Sequence, residues 1–208
     1  MAGISFYFVV GLMVCFIGTI PFGPINLTVV KTTIELGKKC ALEVALAASL
    51  VEIFEALIAI IFGAVISIYL ETSLLISLAI AIAFIVLGIM VLTSKPKVNI
   101  EKECKYVDVG SQFRKGIIVA ALNPQAILFW ICALAAISQY FVFEYTGLYL
   151  IGFLSGVFIG KLVTLYGFII MSGYLKIHVQ QSSLLVNRLL AGVLISIGIS
   201  QSWRVLFG

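Results

Sequence analysis

The sequence predicts an all-α polytopic membrane protein: six transmembrane helices in two inverted three-helix halves, with both termini outside. Three observations lead there. Of the 208 residues, 62% are apolar and only 11% are charged, against about 25% charged in a soluble domain; the mean hydropathy is +1.23. Charge-free runs recur at the length of about 20 helical residues that a hydrocarbon core needs. The basic residues fall almost wholly on alternate loops. In water, a domain of this size would have a surface made mostly of hydrocarbon. Soluble enzymes, nucleic-acid binders and disordered tails are thereby excluded, and membrane lipid is the expected surrounding.

Residues 1–30 carry no charge, and the first span lies within Ile4–Val30. With no basic n-region and no small-x-small cleavage site, it is expected to be retained. The second span runs from about Ala41 to Leu70 and contains Glu52 and Glu55. Thr72–Ser94 is the third, ending before Lys95 and Pro96. Gly116–Phe143 is the fourth and Tyr145–Ser172 the fifth, with Lys161 inside it. Leu184–Trp203 is the sixth, with Arg188 at its leading edge. The runs are continuous, whereas barrel strands alternate over about ten residues, so helices are expected.

Six spans place Lys31, Lys38, Lys39, Lys95, Lys97, Lys102, Lys105, Arg114, Lys115, Lys176 and Arg188 on one side. Arg204 lies on the other, with Glu71 and Glu144. The excess of positive charge marks the cytoplasmic face, which sets both termini outside a cytoplasmic (inner) membrane. Residues 1–208 form a single transmembrane domain, with halves at about 4–94 and 116–208 joined by a cytoplasmic loop at 95–115. Three spans per half is odd, so similar halves would be inverted, as in many transporters whose sites lie at the repeat interface.

Pro21, Phe22, Gly23, Pro24, Ile25 and Asn26 interrupt the first span. A proline removes a backbone donor and clashes with the preceding turn, at about 3 kcal/mol in a helix interior. Two prolines around a glycine should break the helix and free carbonyls that lipid cannot satisfy. Such a break is either a packed kink or a wall of a substrate pathway. Asn123, Pro124 and Gln125 make a second interruption, about seven residues from the cytoplasmic start of the fourth span. The first lies about five to ten residues from the cytoplasmic end of its own span. The two breaks are therefore expected at similar depth.

Glu52 and Glu55 lie three residues apart, about 60° around a helix, on a face shared with Ala48, Ser49 and Ala59. Both fall near the middle of the second span, and Lys161 near the middle of the fifth. An unpaired charge at that depth costs at least about 2.5–3.5 kcal/mol on insertion scales. An ion pair between Lys161 and one glutamate is the cheapest arrangement, and it leaves the other carboxyl to load and unload a proton. The alternatives are a static pair that locks two helices, or a site where Lys161 meets a substrate carboxylate and a glutamate meets its ammonium.

Gly152, Gly156 and Gly160 form a doubled GxxxG that permits close helix packing, within one chain or across a homodimer. Cys15 and Cys132 lie in apolar runs of the first and fourth spans; Cys40 and Cys104 flank basic segments, with no disulfide framework among the four. His178 sits beside Lys176 in a loop. No His/Cys/Asp/Glu cluster has metal spacing and no nucleotide or catalytic motif is present, so neither metal, cofactor nor enzymatic chemistry is expected.

These motifs resemble those of the LysE/RhtB group of amino-acid exporters. Its members are six-span proteins of about this length, with a Pro-Gly-Pro or similar motif ending in Asn in the first span and Asn-Pro-Lys opening the fourth. Here those stretches run from Pro21 to Asn26 and from Asn123 to Trp130, and Gly37, Lys38 and Lys39 also fit. Phe22 is an extra residue in the first motif, Gln125 stands for the usual lysine, and Lys161 replaces an acidic residue frequent in relatives. The resemblance implies a secondary exporter of amino acids or similar small polar solutes, with protons as the coupling ion. Other readings are a thiol-disulfide carrier using Cys15 and Cys132, a passive channel, or a metal-ion exporter.

Overall fold

The computed structural model describes residues 3–20, 23–70, 110–138, 144 and 146–207, with six single positions between 71 and 109. Those six, Leu78, Ile82, Ile85, Val86, Ile89 and Leu92, are helical. The rest of the third expected span lies outside the described residues, as do Pro21 and positions 95–109. All regular structure among the described residues is α-helical.

Helix α1 (Ile4–Thr19) contains no charged residue, and its two faces differ only in what they touch. Tyr7, Gly11, Cys15 and Thr19, spaced by one helical turn, are buried. Phe6, Val9, Met13 and Ile17 on the other face are exposed, the arrangement expected when lipid is the solvent. The helix stops at Ile20. Gly23 is extended, with φ −105°, and Pro24 opens α2 (Pro24–Leu36) at its first position, where a missing N–H costs nothing. The two helices meet at 74°. Gly37, with φ +90°, is the entire link to α3 (Lys38–Leu70); a side chain there would be strained.

Helix α3 buries a face of small residues, Ala41, Val44, Ala45, Ala48, Ser49, Ala56 and Ala59, and points Leu42, Leu46, Leu50, Phe54 and Ile58 outward. Gly110, with φ +86°, precedes α4 (Ser111–Ala121). The helix therefore starts within the segment read from sequence as loop 95–115. Arg114 and Lys115 decorate a helix that the charge count alone disguises. After Leu122 and Asn123, α5 (Pro124–Ser138) resumes.

The last element is α6 (Gly147–Phe207), 61 residues without interruption. Here the sequence reading needs correction, because it placed a loop between a fifth and a sixth span. Polarity suggested that loop, but residues 174–190 contain neither glycine nor proline, so nothing in the backbone requires a stop. At 1.5 Å per residue the helix is about 90 Å long, roughly twice the thickness of a bilayer with its headgroups. Lys38–Phe62 and Gly147–Tyr174 are each long and apolar enough to cross a membrane, and α1 with α2 makes a bent third candidate.

Helices α1 and α6 run parallel. Their backbones meet at Gly152 beside Ile4, Gly156 beside Phe8 and Leu12, and Gly160 beside Leu12 and Cys15, with Gly11 set against Phe153 and Val157 in return. Helix α3 runs antiparallel to α6. The packing divides into two apolar clusters. One joins Ile25, Val29, Ala41, Val44, Ala45, Ala48, Ala120, Leu165 and Ile169. The other joins Tyr7, Cys15, Ala56, Ala59, Trp130, Leu134, Phe153 and Val157. Each line of chain passes from one cluster to the other, and the gap between them holds Glu52, Glu55 and Lys161.

Candidate functional site

Both helix breaks fall in that gap. Cys15 belongs to one cluster and Ile25 to the other, with Ile20 to Gly23 between them; Ala120 and Trp130 likewise flank Asn123. The broken ends are tied off locally. The Asn26 amide, buried at the start of α2, donates from Nδ2 to the Thr19 carbonyl at 2.7 Å, so it caps the end of the helix that the prolines interrupt. At the second break, the Asn123 N–H donates to the Ala120 carbonyl at 2.9 Å, and the Asn123 carbonyl accepts from Ala126 N at 3.3 Å. Gly18, in the last turn of α1, lies directly against the Phe129 ring, which brings the two broken segments together. Pro124 and Gln125 open α5, and their side chains lie outside the description.

Between the clusters sit the three ionisable residues of the spans. Glu52, Glu55 and Lys161 are 4%, 4% and 6% exposed. The Lys161 ammonium lies 2.7 Å from Glu52 Oε2. The other Glu52 oxygen accepts a hydrogen bond of 2.8 Å from the Trp130 indole N–H. Glu52 is thus held from two helices at once, by α5 and by α6. Glu55, on the same face of α3, interacts with the Glu52 and Lys161 charges. Its Oε1 is buried with no hydrogen-bond partner among the described residues. The nearby hydroxyls do not reach it: Ser49 donates to the Ala45 carbonyl and Thr164 to the Gly160 carbonyl, both at 2.8 Å.

Trp130 is the residue the sequence reading passed over, although it ends the stretch quoted for the second motif. It is fully buried and fixed edge-on between Phe129 and Phe153, with ring centroids at 5.6 and 5.8 Å. Tryptophans of membrane proteins concentrate at the water interface, so one seven residues past a break, amid apolar neighbours, calls for a partner for its N–H. Tyr7 is a second such residue. It stacks on Tyr149 at 4.9 Å and accepts a hydrogen bond from the Glu144 backbone N–H at 3.0 Å, which ties the start of α1 to the segment leading into α6.

The glycine stripe of Gly152, Gly156 and Gly160 is occupied by α1 of the same chain. Cys15 is buried beside Gly160, with Sγ 3.8 Å from Thr19 Oγ1. The Cys132 side chain lies outside the description.

Chemically, the layer combines two carboxyls with one ammonium in a buried site. With all three ionised it carries a net charge of −1, which one proton or one cationic group of a solute would balance. Burial of that excess is costly unless it is balanced.

The sequence profile of the LysE type translocator family matches residues 16–201, a stretch that includes both breaks and all three charges. No curated protein and no solved structure matches the chain. The chain belongs to the LysE type translocator family, membrane proteins that export small solutes.

Proposed function

We propose that the protein is a secondary active exporter of amino acids or closely related small polar solutes across the cytoplasmic membrane, driven by the proton gradient. The observation that carries this reading is the buried layer of Glu52, Glu55 and Lys161, in which the ion pair leaves one carboxyl over. A static lock needs one acid for one base, and the second acid is what a coupling ion requires. The layer lies between the same two apolar clusters that flank both helix breaks, and broken helices line the substrate sites of many transporters. The amino-acid class rests on the family resemblance.

In this reading the solute enters from the cytoplasm between the two broken helices, passes the charged layer and leaves when the packing around Tyr7, Trp130 and Phe153 opens. A proton moving inward returns the site to its loading state.

The test is efflux of preloaded labelled amino acids from cells expressing the protein, with and without an uncoupler. Export of one chemical class that collapses with the uncoupler is the expected result. Export unaffected by the uncoupler would indicate a channel or facilitator, and no export of any amino acid would refute the substrate class.

A further inference from the structure

Glu52 and Glu55 share a helix face and a depth, yet their surroundings differ in a way that separates their roles. Both Glu52 oxygens already accept from donors, one from the Lys161 ammonium at 2.7 Å and one from the Trp130 indole at 2.8 Å. Neither donor can reverse: an ammonium and an indole N–H offer hydrogens and no lone pair in this geometry. A proton on Glu52 would remove the charge that both donors meet and weaken both hydrogen bonds. Glu55 Oε1 meets no such obstacle, being buried without a donor against it among the described residues.

We infer that Glu55 is the carboxyl that takes up and releases the proton, and that Glu52 is the fixed partner of Lys161, oriented by Trp130 acting as a positioning residue. This rests on the reading of the protein as a proton-coupled exporter and assigns the coupling site within it. The titratable groups facing Glu55 among the described residues are Glu52 on its own helix, Lys161 on α6 and Cys15 on α1; α5 contributes the non-titrating Trp130. Protonation of Glu55 leaves Glu52 and Lys161 as a neutral pair, so the layer alternates between no net charge and one negative charge. Loss of the proton is the event that readies the layer for a cationic group of the solute.

Infrared spectroscopy of the full-length protein in lipid vesicles tests the assignment without reference to any substrate. At about pH 6, exposed carboxyls are ionised, their ordinary values being near 4, so a protonated-carboxyl C=O band reports a buried acid. The wild type is expected to show this band and Glu55→Gln to lose it, while Glu55→Asp, which keeps a carboxyl, shifts its frequency. Trp130→Phe preserves the packing but frees Glu52 Oε1, and the pH midpoint of the band is expected to move. Persistence of the band in Glu55→Gln, or its absence from the wild type, would overturn the assignment. An unchanged midpoint in Trp130→Phe would overturn the positioning role. Failure of the export reading would show separately, as a band assigned to Glu55 in a protein that moves no amino acid.

Discussion

Replacement of Gly160 by alanine is expected to weaken the protein, whereas the same change at Gly167, two turns further along α6, is not. A Cβ at position 160 would stand 2.5 Å from the Leu12 carbonyl oxygen, short of the 3.4 Å of ordinary contact by about 0.9 Å, and 3.2 Å from Cys15 Cβ. The nearer obstacle is backbone, so no rotamer change relieves it and α1 must retreat. Overpacking of this kind costs about 1–3 kcal/mol. At Gly167 an added Cβ meets nothing within 4 Å. The intrinsic gain of alanine over glycine in a helix, about 0.5–1 kcal/mol, applies at both positions and cancels in the comparison. The two variants should therefore differ in unfolding free energy by about the overpacking cost, measured by reversible denaturation in mixed micelles. Because Gly160 adjoins Lys161, the retreat also disturbs the charged layer, and export should fall with stability. Equal stability of the two variants would refute the close approach of α1 and α6 and the packing role of the stripe.

Three further outcomes follow from the same contacts. Glu52→Gln breaks the ion pair with Lys161 and should cost less than the about 3–5 kcal/mol of a stranded buried charge in detergent unfolding, because Glu55 remains to balance the ammonium, whereas Glu52→Leu combined with Lys161→Met restores most of the lost stability without restoring export. Asn26→Leu removes the donor to the Thr19 carbonyl and leaves a buried acceptor open, with an expected loss of about 1–3 kcal/mol, read by thermal denaturation. Cys15→Ser combined with Cys132→Ser should leave export intact in the efflux assay, because a buried thiol beside Thr19 acts as a small apolar group; abolition of activity would favour the thiol-disulfide reading.

The sequence made some features plain because they depend on local chemistry. Prolines and glycines mark the breaks at Gly23–Pro24 and Asn123–Pro124 because proline cannot continue a hydrogen-bonded turn. The cost of charge in lipid sets Glu52, Glu55 and Lys161 apart before any fold is known. Other features depend on what faces what. Glu52 and Glu55 are separated by only about 60° around α3, and the choice of Lys161 between them is made by where α6 lies. The Trp130 indole finds Glu52 across 78 residues of chain, a distance no local pattern encodes. The start of α4 at Ser111 and the continuity of α6 were hidden for another reason. Charged and polar residues near a membrane surface read as loop, yet without glycine or proline such a stretch is free to remain helical. The stripe of Gly152, Gly156 and Gly160 was legible as a close contact, and only the structure identifies α1 as its partner.

The most direct test of coupling through the charged layer uses purified protein in sealed vesicles, an imposed pH gradient and one labelled amino acid. Wild-type protein should drive the solute uphill until the gradient is collapsed, while Glu55→Gln should equilibrate the solute but accumulate none. Uphill movement that persists in Glu55→Gln, or wild-type movement that ignores the gradient, would contradict the account.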